Sequence, residues 1–438
     1  MDMRTLTFLA STLVAAGLAT ALPASAAGET CQGRPATVVG AGTTFLRGTE
    51  GDDVVVTNGV PLVSTLGGAD LVCVTGGAVA GTTSVETGDG DDVVDASAAT
   101  GPTYAQLGAG SDTYTGSAHP DDVQGGDLDD RAVYVDAERD VITTGSGEDH
   151  VSSGSDGVGT NADVVSVGDE AVVGWIGVMT EDARLTGGGS SELHVGVGAG
   201  DVSVDATSGT LVEDGLTVLR WTGFDTYRVR SYLGGAASFA FAGSDRAEDL
   251  TVEVGGGRHV IDLGGGADRL TVAHESNVGG PRSSYDGGRG RDSLVLWAGP
   301  RLDLDLASGR MVTRRSGRDV RASVQQFDSS FVVVEKLRIR GTAKADDLRF
   351  QACRATVVGR AGADVIGKRG YGRTFRSRLR CDERSFRLFG GSGPDVLRGG
   401  PGRDLLVGGR GRDTVLGGGS RDRCSGEKLR SCEVRLRR

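Results

Sequence analysis

Apolar and polar residues alternate in short runs that glycine-rich segments separate along most of the chain. Residues 250–254 (LTVEV) and 302–306 (LDLDL) show the pattern in its simplest form. A period of two over a short run bounded by glycine predicts a β-strand with one buried face. Almost no segment has the 3.6-residue period of a helix. The pattern therefore predicts an all-β fold built from many short strands.

Four nine-residue segments follow one another without a gap near the C-terminus. They read GGSGPDVLR, GGPGRDLLV, GGRGRDTVL and GGGSRDRCS, and together they cover residues 390–425. Their aspartates recur every nine residues, at Asp395, Asp404, Asp413 and Asp422. Two such segments would form one coil of a stacked structure, which would place Asp395 beside Asp413 and Asp404 beside Asp422. Carboxylates stacked about 5 Å apart would repel one another, so we expect a cation between them.

The residue types in these segments favour a hard cation. Glycine adopts positive φ, so each turn can direct its backbone carbonyls inward. Aspartate adds a carboxylate to the same turn, and a set of oxygen ligands suits Ca²⁺. The four aspartates are therefore candidate calcium ligands.

The nonapeptides resemble the RTX, or haemolysin-type, calcium-binding repeat, GGxGxDxUx. The resemblance implies that each nonapeptide is half of one coil of a parallel β-roll, with Ca²⁺ bound between stacked turns by carbonyls and the sixth-position aspartate. It is strict over residues 390–424. The chain departs from the pattern at five positions, which are Arg403, Arg412, Arg421, Ser420 and Cys424.

Weaker copies of the Gly-Asp turn recur upstream. Asp53, Asp70, Asp92 and Asp112 are further candidate calcium ligands, whereas the turns that pair Asp249 with Asp268 and Asp347 with Asp364 are interpreted as structural. The predicted architecture is a right-handed parallel β-solenoid, or β-roll, that is irregular in the middle. The expected divisions are a signal peptide at 1–26, degenerate solenoid coils at 27–165, diverged duplicated units at 166–387, RTX-like repeats at 388–424 and a basic, disulfide-closed tail at 425–438.

Composition supports a narrow interior and an extracellular location. The chain has 74 glycines but only 11 Phe, 7 Tyr and 3 Trp, which argues against one thick core. Residues 1–26 have the charge, apolar run and Ala-Ser-Ala motif of a secretory signal, so we expect export. The 6 cysteines then favour disulfides. Many pairings are possible, and pairing in sequence order (31 with 73, 353 with 381, 424 with 432) is our expectation.

Charge is unevenly distributed along the chain. The net charge is −12, yet Lys and Arg outnumber Asp and Glu by 19 to 8 within residues 368–438. Arg376, Arg378 and Arg380 alternate and would share one face of a strand, where they could bind anionic cell-wall or surface polymers or form a solvated face. Nucleic acid is an unlikely partner, and we expect no membrane span.

The function that these features favour is a secreted calcium-binding β-roll protein with a structural or binding role and no catalysis. No HExxH or GxSxG motif is present, so neither the metalloprotease nor the lipase signature is found. No catalytic or organic-cofactor residue is proposed. Two alternatives stay open: a parallel β-helix polysaccharide lyase or hydrolase with a calcium-stabilised C-terminal cap, and a cell-surface adhesin.

Overall fold

The computed structural model describes most of the chain after the predicted signal peptide. The described residues are 28–78, 81–117, 119–125, 139–144, 148–154, 159–231, 235–315, 317–368, 379, 381 and 384–436. The predicted signal peptide and the three alternating arginines, Arg376, Arg378 and Arg380, lie outside these ranges. Within them the structure is almost entirely β, with one short 3₁₀ turn at Glu275–Asn277 and no α-helix.

The first part of the chain forms coils that each contribute one strand to each of two parallel rows. One row is an eight-stranded parallel sheet in the order β19, β16, β13, β11, β9, β7, β5, β3. The other row stacks β4, β6, β8, β10, β12, β14, β17 and β20 in the same direction. These strands and the small pairs beside them are β1 (Thr30–Cys31), β2 (Arg34–Pro35), β3 (Val38–Val39), β4 (Phe45–Arg47), β5 (Val54–Val56), β6 (Leu62–Ser64), β7 (Leu71–Cys73), β8 (Thr83–Glu86), β9 (Val93–Asp95), β10 (Thr103–Gln106), β11 (Thr113–Thr115), β12 (Asp121–Gln124), β13 (Val141–Thr143), β14 (His150–Ser153), β15 (Thr160–Asn161), β16 (Val164–Ser166), β17 (Val172–Trp175), β18 (Val178–Met179), β19 (Arg184–Thr186) and β20 (Glu192–Val197).

The middle of the chain continues the parallel stacking but interrupts it with antiparallel excursions. Strands β21, β22 and β23 pair antiparallel, as do β33, β34 and β35. The middle strands are β21 (Asp201–Asp205), β22 (Thr210–Glu213), β23 (Leu216–Arg220), β24 (Thr226–Ser231), β25 (Ala236–Ala242), β26 (Asp249–Glu253), β27 (Gly256–Asp262), β28 (Gly265–Gly266), β29 (Arg269–Val272), β30 (Ser283–Asp286), β31 (Arg289–Gly290), β32 (Ser293–Trp297), β33 (Arg301–Asp305), β34 (Arg310–Arg315) and β35 (Arg318–Gln325).

Regular coils return in the last third of the chain. The long strands β36 and β37 pair in parallel along both of their halves, so each contributes to both rows. From there one row runs β37, β38, β40, β42, β44 and the other runs β37, β39, β41, β43, β45. These strands are β36 (Ser329–Arg340), β37 (Asp347–Ala361), β38 (Val365–Lys368), β39 (Ser385–Ser392), β40 (Val396–Arg398), β41 (Leu405–Arg410), β42 (Thr414–Leu416), β43 (Arg423–Ser425), β44 (Lys428–Arg430) and β45 (Val434–Arg435).

Most strands contribute at least one buried apolar residue to the interior. Successive strands of the first sheet place their central side chains in register, and these side chains are fully or almost fully buried. The column consists of Val55, Val72, Val94, Tyr114, Ile142, Val165 and Leu185. Columns from both rows belong to one continuous apolar cluster. This narrow core explains the period-two pattern and the shortage of aromatic residues. The fold is a parallel β-solenoid, as predicted, and it is irregular in the middle.

Three disulfides join the cysteines in sequence order: Cys31–Cys73, Cys353–Cys381 and Cys424–Cys432. Cys424 occupies the inward position of its nonapeptide and is fully buried, so it takes the place of an apolar core residue. Within the described ranges no helix is long and apolar enough to cross a membrane.

Candidate metal centre

Buried aspartates line one edge of the N-terminal coils and are joined through the backbone. The amide of Asp53 donates to Asp70 Oδ1 at 2.7 Å, and the amide of Asp70 donates to Asp92 Oδ1 at 2.8 Å. Each rung repeats this hydrogen bond to the next coil. The full ladder is Asp53, Asp70, Asp92, Asp112, Asp140 and Asp163. All four N-terminal candidate ligands therefore lie on one ladder.

The C-terminal nonapeptides form two such ladders, one on each edge of the solenoid. On the first edge, the amide of Asp395 donates to Asp413 Oδ1 at 3.0 Å. On the second edge, the amide of Asp404 donates to Asp422 Oδ1 at 2.8 Å. The structure thus brings together the same two pairs that the nine-residue spacing predicts.

Both C-terminal ladders end in glutamates. The amide of Asp413 donates to Glu427 Oε2 at 2.6 Å, and the amide of Asp422 donates to Glu433 Oε2 at 2.7 Å. The final rungs are separated by 14 and 11 residues in sequence, whereas the Asp395–Asp413 and Asp404–Asp422 rungs are separated by 18. The last turns are shorter, and the longer side chain spans the remaining distance.

The second carboxylate oxygen of several rungs has no hydrogen-bond partner. Oδ2 of Asp364, Asp395 and Asp422 is buried and accepts no hydrogen bond in the part of the chain that the structure describes. A buried carboxylate oxygen without a partner is unfavourable because its desolvation is not compensated. These oxygens are the strongest structural sign that the turns can bind a cation.

Backbone carbonyls converge on the same places. A Cβ built on Gly390 would collide with Asp395 Oδ2 and lie 2.6 Å from the carbonyl oxygen of Gly408 in the next coil. A Cβ on Gly341 would lie 2.5 Å from Asp346 Oδ2 and 2.6 Å from the carbonyl oxygen of Gly359. In each of these turns, a carboxylate oxygen of the turn's own aspartate and a carbonyl oxygen of the adjacent coil therefore lie close to the same glycine Cα.

Asp404 has a different environment from Asp395 and Asp422. Both of its oxygens accept backbone hydrogen bonds, Oδ1 from the amide of Phe386 and Oδ2 from the amide of Gly400, each at 2.7 Å. Asp53 also accepts on both oxygens, since Thr49 donates to Oδ2 at 2.7 Å and Thr37 Oγ1 donates to Oδ1 at 2.9 Å. In these two aspartates, protein donors therefore already satisfy both carboxylate oxygens.

Burial disfavours the charged form of the ladder carboxylates. The pKa of Asp92, Asp364 and Asp404 is raised to about 6, chiefly by desolvation and also by the negative charges of neighbouring rungs, while the amide hydrogen bonds oppose the rise. The pKa of Asp395 is also raised, first by burial and then by the charge of Asp413. A bound cation would remove this penalty.

Two sequence interpretations require correction by one residue. The rung opposite Asp364 is Asp346 rather than Asp347, and the rung opposite Asp268 is Glu248 rather than Asp249. At Asp346-Asp347 and Glu248-Asp249 the first residue faces the turn, and the second begins the strand. Asp347 accordingly pairs with Arg349 and Asp249 lies 3.5 Å from Arg269.

Sequence reasoning also missed rungs outside the regular repeats. Asp140, Asp163, Glu427 and Glu433 were not candidates, and the amide of Asp121 donates to Asp149 Oδ1 at 3.0 Å on the second edge. Asp140 and Asp149 are nine residues apart, which was the available signal.

The donor set fits an oxygen-binding cation with a large share of backbone ligands. Among the described residues no group of three or more His, Cys, Asp or Glu side chains is arranged as a metal site. Turn carbonyls would therefore have to provide most of the ligands, with one aspartate from each of two stacked turns. Such a set suits Ca²⁺, which takes carboxylate and carbonyl oxygens in flexible geometry.

Parallel coils, glycine-rich turns and, in the C-terminal repeats, buried aspartates at every half-coil are features that this chain shares with calcium-binding β-rolls. The family model of the RTX calcium-binding nonapeptide repeat matches in 4 copies, at residues 133–157 and 387–424. The chain thus carries RTX repeats, and the first matched segment contains the Asp140 and Asp149 rungs. No curated protein matches the chain.

Proposed function

We propose that this chain is a secreted calcium-binding β-roll protein whose role is structural or binding rather than catalytic. The observation that carries the proposal is that the buried Oδ2 atoms of Asp364, Asp395 and Asp422 accept no hydrogen bond from any described residue. The RTX repeats support calcium as the ion. Three disulfides support an oxidising, extracellular environment.

Each proposed site lies between stacked turns. On the C-terminal edges the candidates are Asp395 with Asp413 and Asp404 with Asp422. In the N-terminal ladder they are Asp53, Asp70, Asp92 and Asp112. When bound, Ca²⁺ would supply positive charge between carboxylates that now repel one another. Asp404 and Asp53 would change least, because both oxygens of each already accept hydrogen bonds, from two amides at Asp404 and from the Thr49 amide and the Thr37 hydroxyl at Asp53.

Binding of this kind stabilises the folded state. The stacked turns bring the ligands together only after the coils form, so the binding free energy contributes to folding. We expect modest affinity, with Kd in the range of about 10⁻⁴–10⁻³ M that is typical of extracellular modules. At the calcium concentrations of an extracellular medium, this affinity would favour folding after export.

Calorimetric titration of the calcium-depleted protein with Ca²⁺ tests the proposal. We expect saturable binding that Mg²⁺ does not reproduce, and a gain of β-sheet circular dichroism on adding Ca²⁺ that chelation reverses. The double variant Asp395→Asn/Asp422→Asn should bind fewer ions, because it removes two carboxylates that have free oxygens. The matched control is Asp182→Asn/Asp319→Asn, which removes the same charge from two exposed positions.

The control should bind Ca²⁺ like the parent. If neither heat nor circular dichroism changed on adding Ca²⁺, the metal assignment would be wrong. If the double variant and the parent bound the same number of ions, the sites would lie elsewhere.

The proposal of a non-catalytic role is tested separately, by incubating the protein with plant and bacterial polysaccharides and measuring new reducing ends and unsaturated products.

A further inference from the structure

Four exposed basic residues gather on the outward face of three neighbouring strands. Lys336 and Arg338 lie on β36, Arg354 on β37 and Arg387 on β39, and all four are exposed. The strands pair in parallel, with Lys336 opposite Arg354 and with Thr356 between Arg338 and Arg387. We call these four residues the basic face.

Among the described residues, ion pairs leave the charges of the basic face unneutralised, although Asp303 lies opposite Arg338 on the neighbouring strand β33. Some other outward arginines do form ion pairs, as Arg228 does with Glu192 at 3.2 Å and Arg301 does with Asp303 at 2.6 Å. Within the described residues, the four members of the basic face form no ion pair and no side-chain hydrogen bond. Like charges opposite each other on adjacent strands destabilise a sheet. Stability therefore does not account for this arrangement.

The spacing of the basic face suits an extended ligand. Adjacent strands lie about 4.8 Å apart, so Lys336 and Arg354 are one strand apart and Arg338 and Arg387 are two strands, or about 10 Å, apart. The positive charges thus follow the axis along which the coils stack. A linear polymer with regularly spaced negative charges could contact several of them at once.

A depression beside the basic face adds groups that suit sugar hydroxyls. It has a volume of about 140 Å³ and lies between β33, β34 and β36. Its lining residues are Asp303, Leu304, Asp305, Ser308, Arg310, Arg338 and Arg340. The two carboxylates accept hydrogen bonds from sugar hydroxyls, and Arg310, Arg338 and Arg340 can donate to carboxylates, so this lining suits a ligand that carries both groups.

Within the described parts of β36, β37 and β39, the outward surface offers little on which nucleic acid bases could stack. Proteins that bind single strands stack the bases on aromatic side chains. Of the outward aromatic residues on these described strands, Phe331 is buried with Val295 and Val333, and Phe389 is only partly exposed. We propose that the basic face and the adjoining depression bind a linear acidic polysaccharide. This surface uses none of the candidate calcium ligands, so the inference goes beyond the proposed calcium function.

Titration with short oligogalacturonates tests this inference. The calcium-loaded protein should bind them at low ionic strength, and binding should weaken as salt increases because the contacts are between exposed charges. The variant Arg338→Gln/Arg354→Gln/Arg387→Gln should lose at least about tenfold in affinity, given the attraction expected per basic residue near an anionic surface. The charge-matched control is Arg47→Gln/Arg220→Gln/Arg321→Gln. These three arginines are exposed and lie on β4, β23 and β35, which do not carry the basic face.

The control variant should bind like the parent, and circular dichroism should show that both variants are folded. Equal binding by the parent and the basic-face variant, or no binding by the parent, would overturn the inference. Tighter binding to oligothymidylate or to vesicles of anionic phospholipid than to oligogalacturonate would overturn the choice of partner. Because calcium titration is measured independently, failure here leaves the calcium proposal standing.

Discussion

The glycines of each nonapeptide have two different physical roles. In the first and third nonapeptides the second and fourth glycines have positive φ, which L side chains rarely adopt, as Gly391 and Gly393 do at 119° and 127°. The first glycine, such as Gly390, does not have positive φ. It is required because the aspartate five residues later folds back over its Cα, where a Cβ would collide with Asp395 Oδ2. In these turns the backbone conformation requires glycine at the second and fourth positions, and the close approach of the aspartate requires it at the first.

Substitution of a first glycine should therefore be destabilising without any strain in φ. We predict that Gly390→Ala lowers the free energy of unfolding by about 1–3 kcal/mol, the usual range for an overpacked site, and weakens Ca²⁺ binding at that turn. The matched control is Gly419→Ala in the same repeat region, whose Cβ would meet no atom closer than 3.5 Å. Urea unfolding with and without Ca²⁺ measures both effects. Equal destabilisation by the two variants would refute the role assigned to the first glycine.

The aspartate ladder is the element that couples one coil to the next. Each rung accepts an amide proton from the coil before it and also holds the negative charge that repels its neighbours. In the central coils the rungs are Glu248, Asp268 and Asp292. The amide hydrogen bonds survive protonation of Oδ2, whereas the repulsion does not. The ladder should therefore make the metal-free protein sensitive to pH.

The direction of this pH dependence follows from the raised pKa values. Burial raises the pKa of Asp268 and Asp364 from 3.8 to about 6, so the folded protein binds these protons more tightly than the unfolded chain. Their contribution to stability is fully present below pH 3.8 and is lost as the pH rises through about 6. We predict that the calcium-depleted protein melts at a higher temperature at pH 5 than at pH 7.

The variant Asp268→Asn/Asp364→Asn isolates the ladder from other titrating groups. It keeps the Oδ1 acceptor but has no proton to bind, so its melting temperature should change less between pH 5 and pH 7 than that of the parent. Carboxylates whose pKa is lowered, such as Glu192 beside His194, change the stability with pH in the opposite direction. They are present in both proteins, so they do not affect the comparison. Parallel pH profiles for parent and variant would contradict the prediction.

At the scale of the whole molecule, sequence reasoning succeeds where the repeat is regular. The nine-residue spacing correctly pairs Asp395 with Asp413 and Asp404 with Asp422, because equal spacing fixes the register of stacked coils. It does not identify Glu433 as the last rung, because that role depends on how short the final turn is. It also misses the antiparallel strands β22 and β34, since period-two patterning is the same for both strand directions.

Solenoid coils contact mainly their neighbours, so stability can differ along the chain. The central coils have a bulky aromatic interior that includes Trp221, Tyr227 and Phe241, all buried. Residues 390–424 contain no aromatic residue, and their interior is a single column per row of residues such as Leu397, Leu406 and Val415. Less apolar area is buried there, so these coils should depend most on Ca²⁺.

Chelation of Ca²⁺ should therefore unfold the molecule in parts. All 3 tryptophans lie between residues 175 and 297, so their emission reports only on the central coils. We predict that chelation at pH 7.5 leaves tryptophan emission almost unchanged while the backbone amides of residues 390–424 lose protection from hydrogen exchange. Addition of Ca²⁺ in excess of the chelator should restore that protection. Loss of both signals at the same chelator concentration would show instead that the solenoid unfolds as one cooperative unit, with calcium stabilising every coil through its neighbours.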